Sequence, residues 1–125
     1  MNLVQEYLKL ANDVVSFNEY ANVNKKAIKE YNHKATRMRK IATEIEADLP
    51  TLKNDFCELL SHENSGIRLW VAHHVLEVMN CDKSYRKAAL QEIRYKARMD
   101  KTANSFGEKV WLQNWYKSHP EDRWI

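Results

Sequence analysis

Glycine and proline are scarce in this chain of 125 residues, which has only two of each. Sheets joined by tight turns need residues that tolerate positive φ or that break strands. The scarcity therefore argues against a turn-rich β fold and favours long helices. It also excludes a glycine-rich phosphate-binding loop, because Gly66 and Gly107 stand alone.

Long apolar runs are absent as well. No segment approaches the ~18 consecutive apolar residues of a membrane span. The first twenty residues, MNLVQEYLKLANDVVSFNEY, lack a basic leader followed by an unbroken apolar stretch. The sequence therefore predicts a cytoplasmic protein with no membrane partner.

Cysteine is limited to Cys57 and Cys81, and no CxxC spacing occurs. Because free cysteine is among the most often buried residues, two buried thiols are the favoured interpretation. A disulfide or redox pair is the alternative. Cys57 has no nearby histidine and no glycine-rich oxyanion turn in sequence, so a catalytic thiol is not expected.

The residues that are present fit one globular domain spanning residues 1–125. Hydrophobic residues make up 44% of the chain and charged residues 30%, which is too apolar for a disordered chain. Apolar residues recur at helical spacing and predict about six helices. The approximate ranges of these helices are 3–17, 27–49, 50–60, 67–79, 84–99 and 105–117.

The fourth predicted helix is apolar almost all round and should be the most buried one. Its predicted central residues are Ile67, Leu69 or Trp70, Ala72, Val75 and Leu76. Ser65 is a candidate N-cap for it, since serine is favoured at that position.

His73, His74 and Glu77 are the side chains most suggestive of metal binding. His73 and Glu77 lie four residues apart and would share a helix face, as metal ligands do. A further ligand at a workable spacing is missing, so each histidine is interpreted as structural or surface-exposed. We therefore expect no metal and no other cofactor.

Basic residues cluster in two segments. Between residues 22 and 40, seven bases stand against Glu30 alone: Lys25, Lys26, Lys29, Lys34, Arg37, Arg39 and Lys40. The main bases of this segment lie opposite the apolar stripe of the second helix, as solvated lysines usually do.

The second segment is more regular. Its bases recur at helical spacing within about one sector of the fifth helix, and predict a partner-binding ridge at Lys87, Arg94, Arg98 and Lys101, with Lys83 preceding it. A solvated face is the alternative interpretation.

Aromatic residues concentrate near the end of the chain, at Trp111, Trp115, Tyr116 and Trp124. Most of these aromatic side chains should pack against the core. Tryptophan is also enriched at binding hot spots, so one exposed beside the basic ridge would be a contact candidate.

The stretch HENSGIRLWVAHHVLEVMN resembles the helix–turn–helix of a HEAT-type repeat. Together with LVQEYLKLA, LLSHENSGIRLWVA, ALQEI and VWLQNW, it makes nearly the whole chain similar to the bacterial family called domain of unknown function 2019. The resemblance implies a right-handed HEAT-like stack of about three helical pairs and carries no catalytic residues. The long lysine-rich second helix and the tryptophan-rich C-terminal part depart from that family's pattern.

HEAT-like stacks present extended surfaces to proteins or nucleic acid. Small bacterial proteins of this helical kind resemble immunity proteins that bind and block a cognate toxin. We therefore expect a non-enzymatic protein-binding module whose partner is a toxin domain. With a formal charge of +3, this chain would need a toxin with an acidic or mixed surface.

A nucleic-acid-binding helical module is the alternative. It requires the two basic segments to cluster on one face. An enzyme is not expected, because no convergent catalytic set is recognisable.

Overall fold

The computed structural model describes residues 1–17, 24–99 and 102–125. Within these ranges the chain forms six α-helices and two short 3₁₀ turns, and no strand. The helices are α1 (Leu3–Val15), α2 (Lys25–Asp48), α3 (Pro50–Glu58), α4 (Ser65–Glu77), α5 (Lys83–Met99) and α6 (Ala103–Ser118). The 3₁₀ turns are Leu59–Ser61 and Pro120–Trp124. The prediction of an all-helical stack of about six helices is confirmed.

Helix boundaries follow local chemistry. Asn2 caps α1 in a capping box with Gln5, and Asn24 caps α2. Helix α2 ends one residue before Leu49, because Pro50 cannot continue a helix but is tolerated in the first turn of the next one.

Asn64, and not Ser65, caps α4. Its Oδ1 accepts hydrogen bonds from the amides of Gly66 and Ile67, at 2.8 and 3.2 Å. The prediction for Ser65 was therefore wrong by one position, since Ser65 is the first helical residue. Asparagine and serine are comparable caps, so sequence preference alone does not choose between neighbours.

Helix α4 contributes most to the hydrophobic core, as its pattern predicts. Ile67, Val71, Ala72 and Val75 are fully buried and Leu76 nearly so, whereas Leu69 and Trp70 are only partly buried. The core also takes buried residues from α1, α2, α3 and α5.

Helix α6 lies at the edge of the stack. It packs on α5 through partly buried side chains such as Leu112 and Trp115, and its only buried residue is Ser105. The described helices include none that is both long and apolar enough to cross a membrane. Because α6 buries so few residues, much of the surface of the α5–α6 hairpin is exposed to solvent.

Candidate functional site

A groove of about 400 Å³ runs between α5 and α6. Its apolar floor comes from Ala97 and Leu112, and its walls carry three cationic side chains and an amide. Among the residues that the structure describes, no carboxylate lines the groove; the lining consists of Arg94, Ala97, Arg98, Lys109, Leu112 and Gln113. We call this the α5–α6 groove.

Arg94, a predicted ridge residue, is held by intramolecular contacts. Its Nε donates to the Tyr116 hydroxyl at 2.8 Å, Nη1 to the backbone oxygen of Ile125 at 2.6 Å and Nη2 to that of Asp122 at 2.8 Å. These bonds fix the end of the chain against α5. Arg94 therefore anchors the wall of the groove and is not a freely mobile cation.

Asp122 reinforces the same arrangement. This buried carboxylate accepts a hydrogen bond from Trp115 Nε1 at 2.9 Å and forms an ion pair with Arg86. The turn Pro120–Trp124 is thus held by Arg94 through its backbone and by Trp115 and Arg86 through Asp122. Trp124 within this turn is nevertheless 84% exposed. The sequence predicts that a tryptophan exposed beside the basic ridge is a candidate for contact with a partner, and Trp124 is exposed.

The other ridge residues differ from Arg94. Lys87 and Arg98 are exposed, and neither has a hydrogen bond or ion pair with any other residue that the structure describes. Lys101 lies outside the described residues. Two of the four predicted ridge residues are therefore exposed cations on α5.

Helix α6 adds a cation that the sequence did not single out. Lys109 lines the groove opposite Arg98 and shares one helix face with Phe106, Val110 and Gln113, at i, i+3, i+4 and i+7 spacing. Phe106 is 68% exposed and Val110 38%. Lys109 was missed because its proximity to Arg98 depends on how α5 and α6 pair, which local spacing does not reveal. We call the surface formed by Lys87, Arg98, Phe106, Lys109, Val110 and Trp124, together with the α5–α6 groove, the docking face.

The basic segment of α2 is partly neutralised. Lys34 pairs with Asp13 at 3.1 Å, Arg37 with Glu6 at 2.8 Å and Arg39 with Glu77 at 2.7 Å. Lys25, Lys26, Lys29 and Lys40 remain exposed. Because α2 packs mainly on α1 whereas α5 packs on α4 and α6, the two basic segments belong to different parts of the stack.

His73 is the centre of a charge network that joins α4 to α6. Its Nδ1 lies 3.0 Å from Glu77 Oε2 on α4, and its Nε2 lies 2.7 Å from Glu108 Oε2 on α6. Burial alone would lower the pKa of His73, but hydrogen bonds to the two carboxylates raise this pKa to about 9. His73 is therefore a cation at neutral pH and clamps α6 onto α4.

Glu77 extends the network. It also pairs with Arg39 and accepts a hydrogen bond from Trp111 Nε1 at 3.1 Å. Burial would raise the pKa of Glu77, but its bonds to His73 and Arg39 lower this pKa to about 2. In the described part of the chain, no group of three or more His, Cys, Asp or Glu side chains is arranged to hold a metal ion.

His74 has a different environment. It is buried, and its Nδ1 lies 2.7 Å from the Tyr7 hydroxyl on α1. Burial lowers the pKa of His74 to about 4, so this ring is neutral at pH 7. Both histidines have intramolecular partners, and neither lines the α5–α6 groove.

The His73 network predicts a loss of stability at alkaline pH. Because folding raises the pKa of His73 from its ordinary 6.5 to about 9, its stabilising effect is complete below about pH 6.5 and disappears as the pH rises through 9. We expect the Tm of the wild-type protein to fall more steeply between about pH 7 and 10 than that of a His73→Gln variant. Thermal unfolding monitored by circular dichroism measures this. All other ionisable groups are common to both proteins, so parallel curves would mean that His73 is not charged in the folded state.

Comparison with family models, curated proteins and solved structures finds no match to this chain. The resemblance to the family called domain of unknown function 2019 therefore stays a prediction.

Proposed function

We propose that this chain is a non-enzymatic protein-binding module and that its docking face binds an acidic or mixed surface of a protein partner. The observation that carries the proposal is the α5–α6 groove. Its apolar floor lies between the exposed cations Arg98 and Lys109, and no carboxylate in the described part of the chain lines it.

Exposed apolar side chains support a macromolecular partner. Trp124 and Phe106 leave most of their surface in water, at 84% and 68% exposure. Burying such side chains in a complex would release the water that surrounds them. Tryptophan is moreover enriched among the residues that dominate interface energies.

The charges favour an acidic partner. Lys87, Arg98 and Lys109 have no intramolecular carboxylate among the described residues, so their charge is available to steer a negatively charged surface into the groove. Arg94 contributes differently, because its bonds hold in place the turn that presents Trp124.

The partner that best fits both the sequence resemblance and this face is a bacterial toxin domain. Under this proposal the chain is an immunity protein, and it blocks the toxin by covering its active site or substrate-binding surface. Helical side chains suit this role, because side chains already held on a packed helix lose less conformational freedom on binding than those of a disordered segment.

Duplex nucleic acid is the competing ligand, because exposed lysine and arginine side chains also contact phosphates. The ion pairs on α2 reduce this possibility. Lys34, Arg37 and Arg39 are already neutralised by acidic side chains of α1 and α4, so a phosphate backbone would release fewer counterions there.

Coexpression tests the proposal. A toxin-like domain encoded next to this chain in its genome is expressed in a bacterial host with and without the chain. We expect the chain to restore growth and to co-purify with an inactive toxin variant as a stable complex. Persistent growth arrest in the presence of folded chain would contradict the immunity function. Binding of duplex DNA tighter than about 10⁻⁶ M at physiological salt, falling steeply as salt rises, would instead support the nucleic-acid alternative.

A further inference from the structure

The two cysteines, 24 residues apart in sequence, meet in the folded chain. Cys57 lies on α3 and Cys81 in the connection between α4 and α5, and their Sγ atoms are 3.3 Å apart. Both are free thiols, and Cys57 is 1% and Cys81 8% exposed. The expectation of two buried thiols is correct, but the spacing along the sequence gave no sign that they are neighbours.

The surroundings hold this pair in place. Lys53, one turn before Cys57 on α3, forms an ion pair with Glu46 at 2.7 Å and donates a hydrogen bond to the backbone oxygen of Asn80. Glu46 in turn accepts a hydrogen bond from the Asn80 amide at 2.9 Å. The residue before Cys81 is thus fastened to both α2 and α3.

The two thiols are not equivalent. The Sγ–Sγ contact with Cys57 and the positive charge of Lys53 lower the pKa of Cys81, against the effect of burial. The contact with Cys81 and burial raise the pKa of Cys57. Cys81 is also the more exposed of the two, so we assign it the role of the attacking thiol.

We propose that Cys57 and Cys81 form an oxidisable dithiol site that closes to an intramolecular disulfide by exchange with a small disulfide such as oxidised glutathione. A disulfide has an S–S length of about 2.05 Å, so the sulfur atoms must approach by only about 1.2 Å from their present 3.3 Å. Closure would link α3 to the segment that leads into α5. This inference is independent of the proposed protein partner.

The exchange proceeds in two steps. The Cys81 thiol gives up its proton to water, and the thiolate attacks one sulfur of oxidised glutathione. This forms a Cys81–glutathione mixed disulfide and releases one glutathione thiolate, which takes up a proton from water. Cys57 then attacks the Sγ of Cys81, expels the second glutathione and gives up its proton to that leaving thiolate. The two protein thiols lose two electrons in total, and one oxidised glutathione gains them as two reduced molecules.

Equilibration of the full chain in glutathione redox buffers tests the proposal. Free thiols are alkylated after equilibration and counted by mass spectrometry, once under native conditions and once in guanidinium chloride. We expect the folded chain to reach half-oxidation at an oxidant ratio at least about tenfold lower than the unfolded chain, because folding holds the thiols together. Peptide mapping should find Cys57 linked to Cys81 within one molecule. An equal or higher oxidant requirement for the folded chain would overturn the proposal, as would disulfides between molecules.

Single variants test the roles of the two thiols. Cys57→Ser should accumulate the mixed disulfide with glutathione at Cys81, because the resolving thiol is missing. Cys81→Ser should form a mixed disulfide at Cys57 at least about tenfold more slowly than Cys57→Ser forms one at Cys81. Faster reaction at Cys57 would contradict attack by Cys81. The redox titration of the unaltered chain decides the proposal even if either variant folds poorly.

Discussion

Replacing Leu76 by alanine is expected to lower the free energy of unfolding by about 2–5 kcal/mol. Leu76 lies on α4 and is only 4% exposed, within the core that joins α1 to α5. The change removes buried methyl groups and leaves a cavity that packed helices cannot fully close. Chemical denaturation followed by circular dichroism measures this loss.

Ile28→Ala is the matched control for this experiment. Ile28 lies on α2 and is 44% exposed, so removal of a side chain of similar size there should cost less than about 1 kcal/mol. A loss under about 1 kcal/mol for Leu76→Ala, or equal losses for the two variants, would contradict the central position of α4.

Much of the helical architecture could be predicted from the sequence because helix signals are local. The apolar residues of α4 surround the helix, and this pattern identifies it as the buried helix without knowledge of its neighbours. Pro50 likewise marks the boundary between α2 and α3, because a proline has no amide hydrogen and restricts the residue before it.

The candidate site was predictable only in part. The spacing of Lys87, Arg94 and Arg98 identified one face of α5, but the role of Arg94 depends on the turn Pro120–Trp124, which folds back onto it. Lys109 and Glu108 lie on α6. Their contacts with residues of α5 and α4 depend on how the helices pack together, so no spacing within either segment could reveal them.

For the adjacent histidines His73 and His74, too, the sequence predicts the helix position but not the contacts. Their helix position predicts that they face different neighbours, since successive residues are about 100° apart. It does not predict that His73 lies between two carboxylates while His74 contacts the Tyr7 hydroxyl. Those neighbours give the two side chains pKa values of about 9 and about 4.

Reversing the charge of the docking face should remove most of the proposed binding. We expect Arg98→Glu combined with Lys109→Glu to weaken binding of the toxin by about tenfold to a hundredfold, chiefly through slower association. Folding should be unaffected, because both side chains are exposed and unpaired among the described residues. Lys25→Glu with Lys29→Glu is the matched control, since it makes the same change in net charge at exposed positions of α2.

Affinity and association rate for the proposed toxin partner test the docking face most directly, measured at low and physiological salt for the wild type, the docking-face variant and the α2 control. We expect only the docking-face variant to bind more slowly and to lose much of the salt dependence, while all three proteins keep the same Tm. Unchanged binding and salt dependence in the docking-face variant would contradict the proposed function, and so would an equal loss in the α2 control.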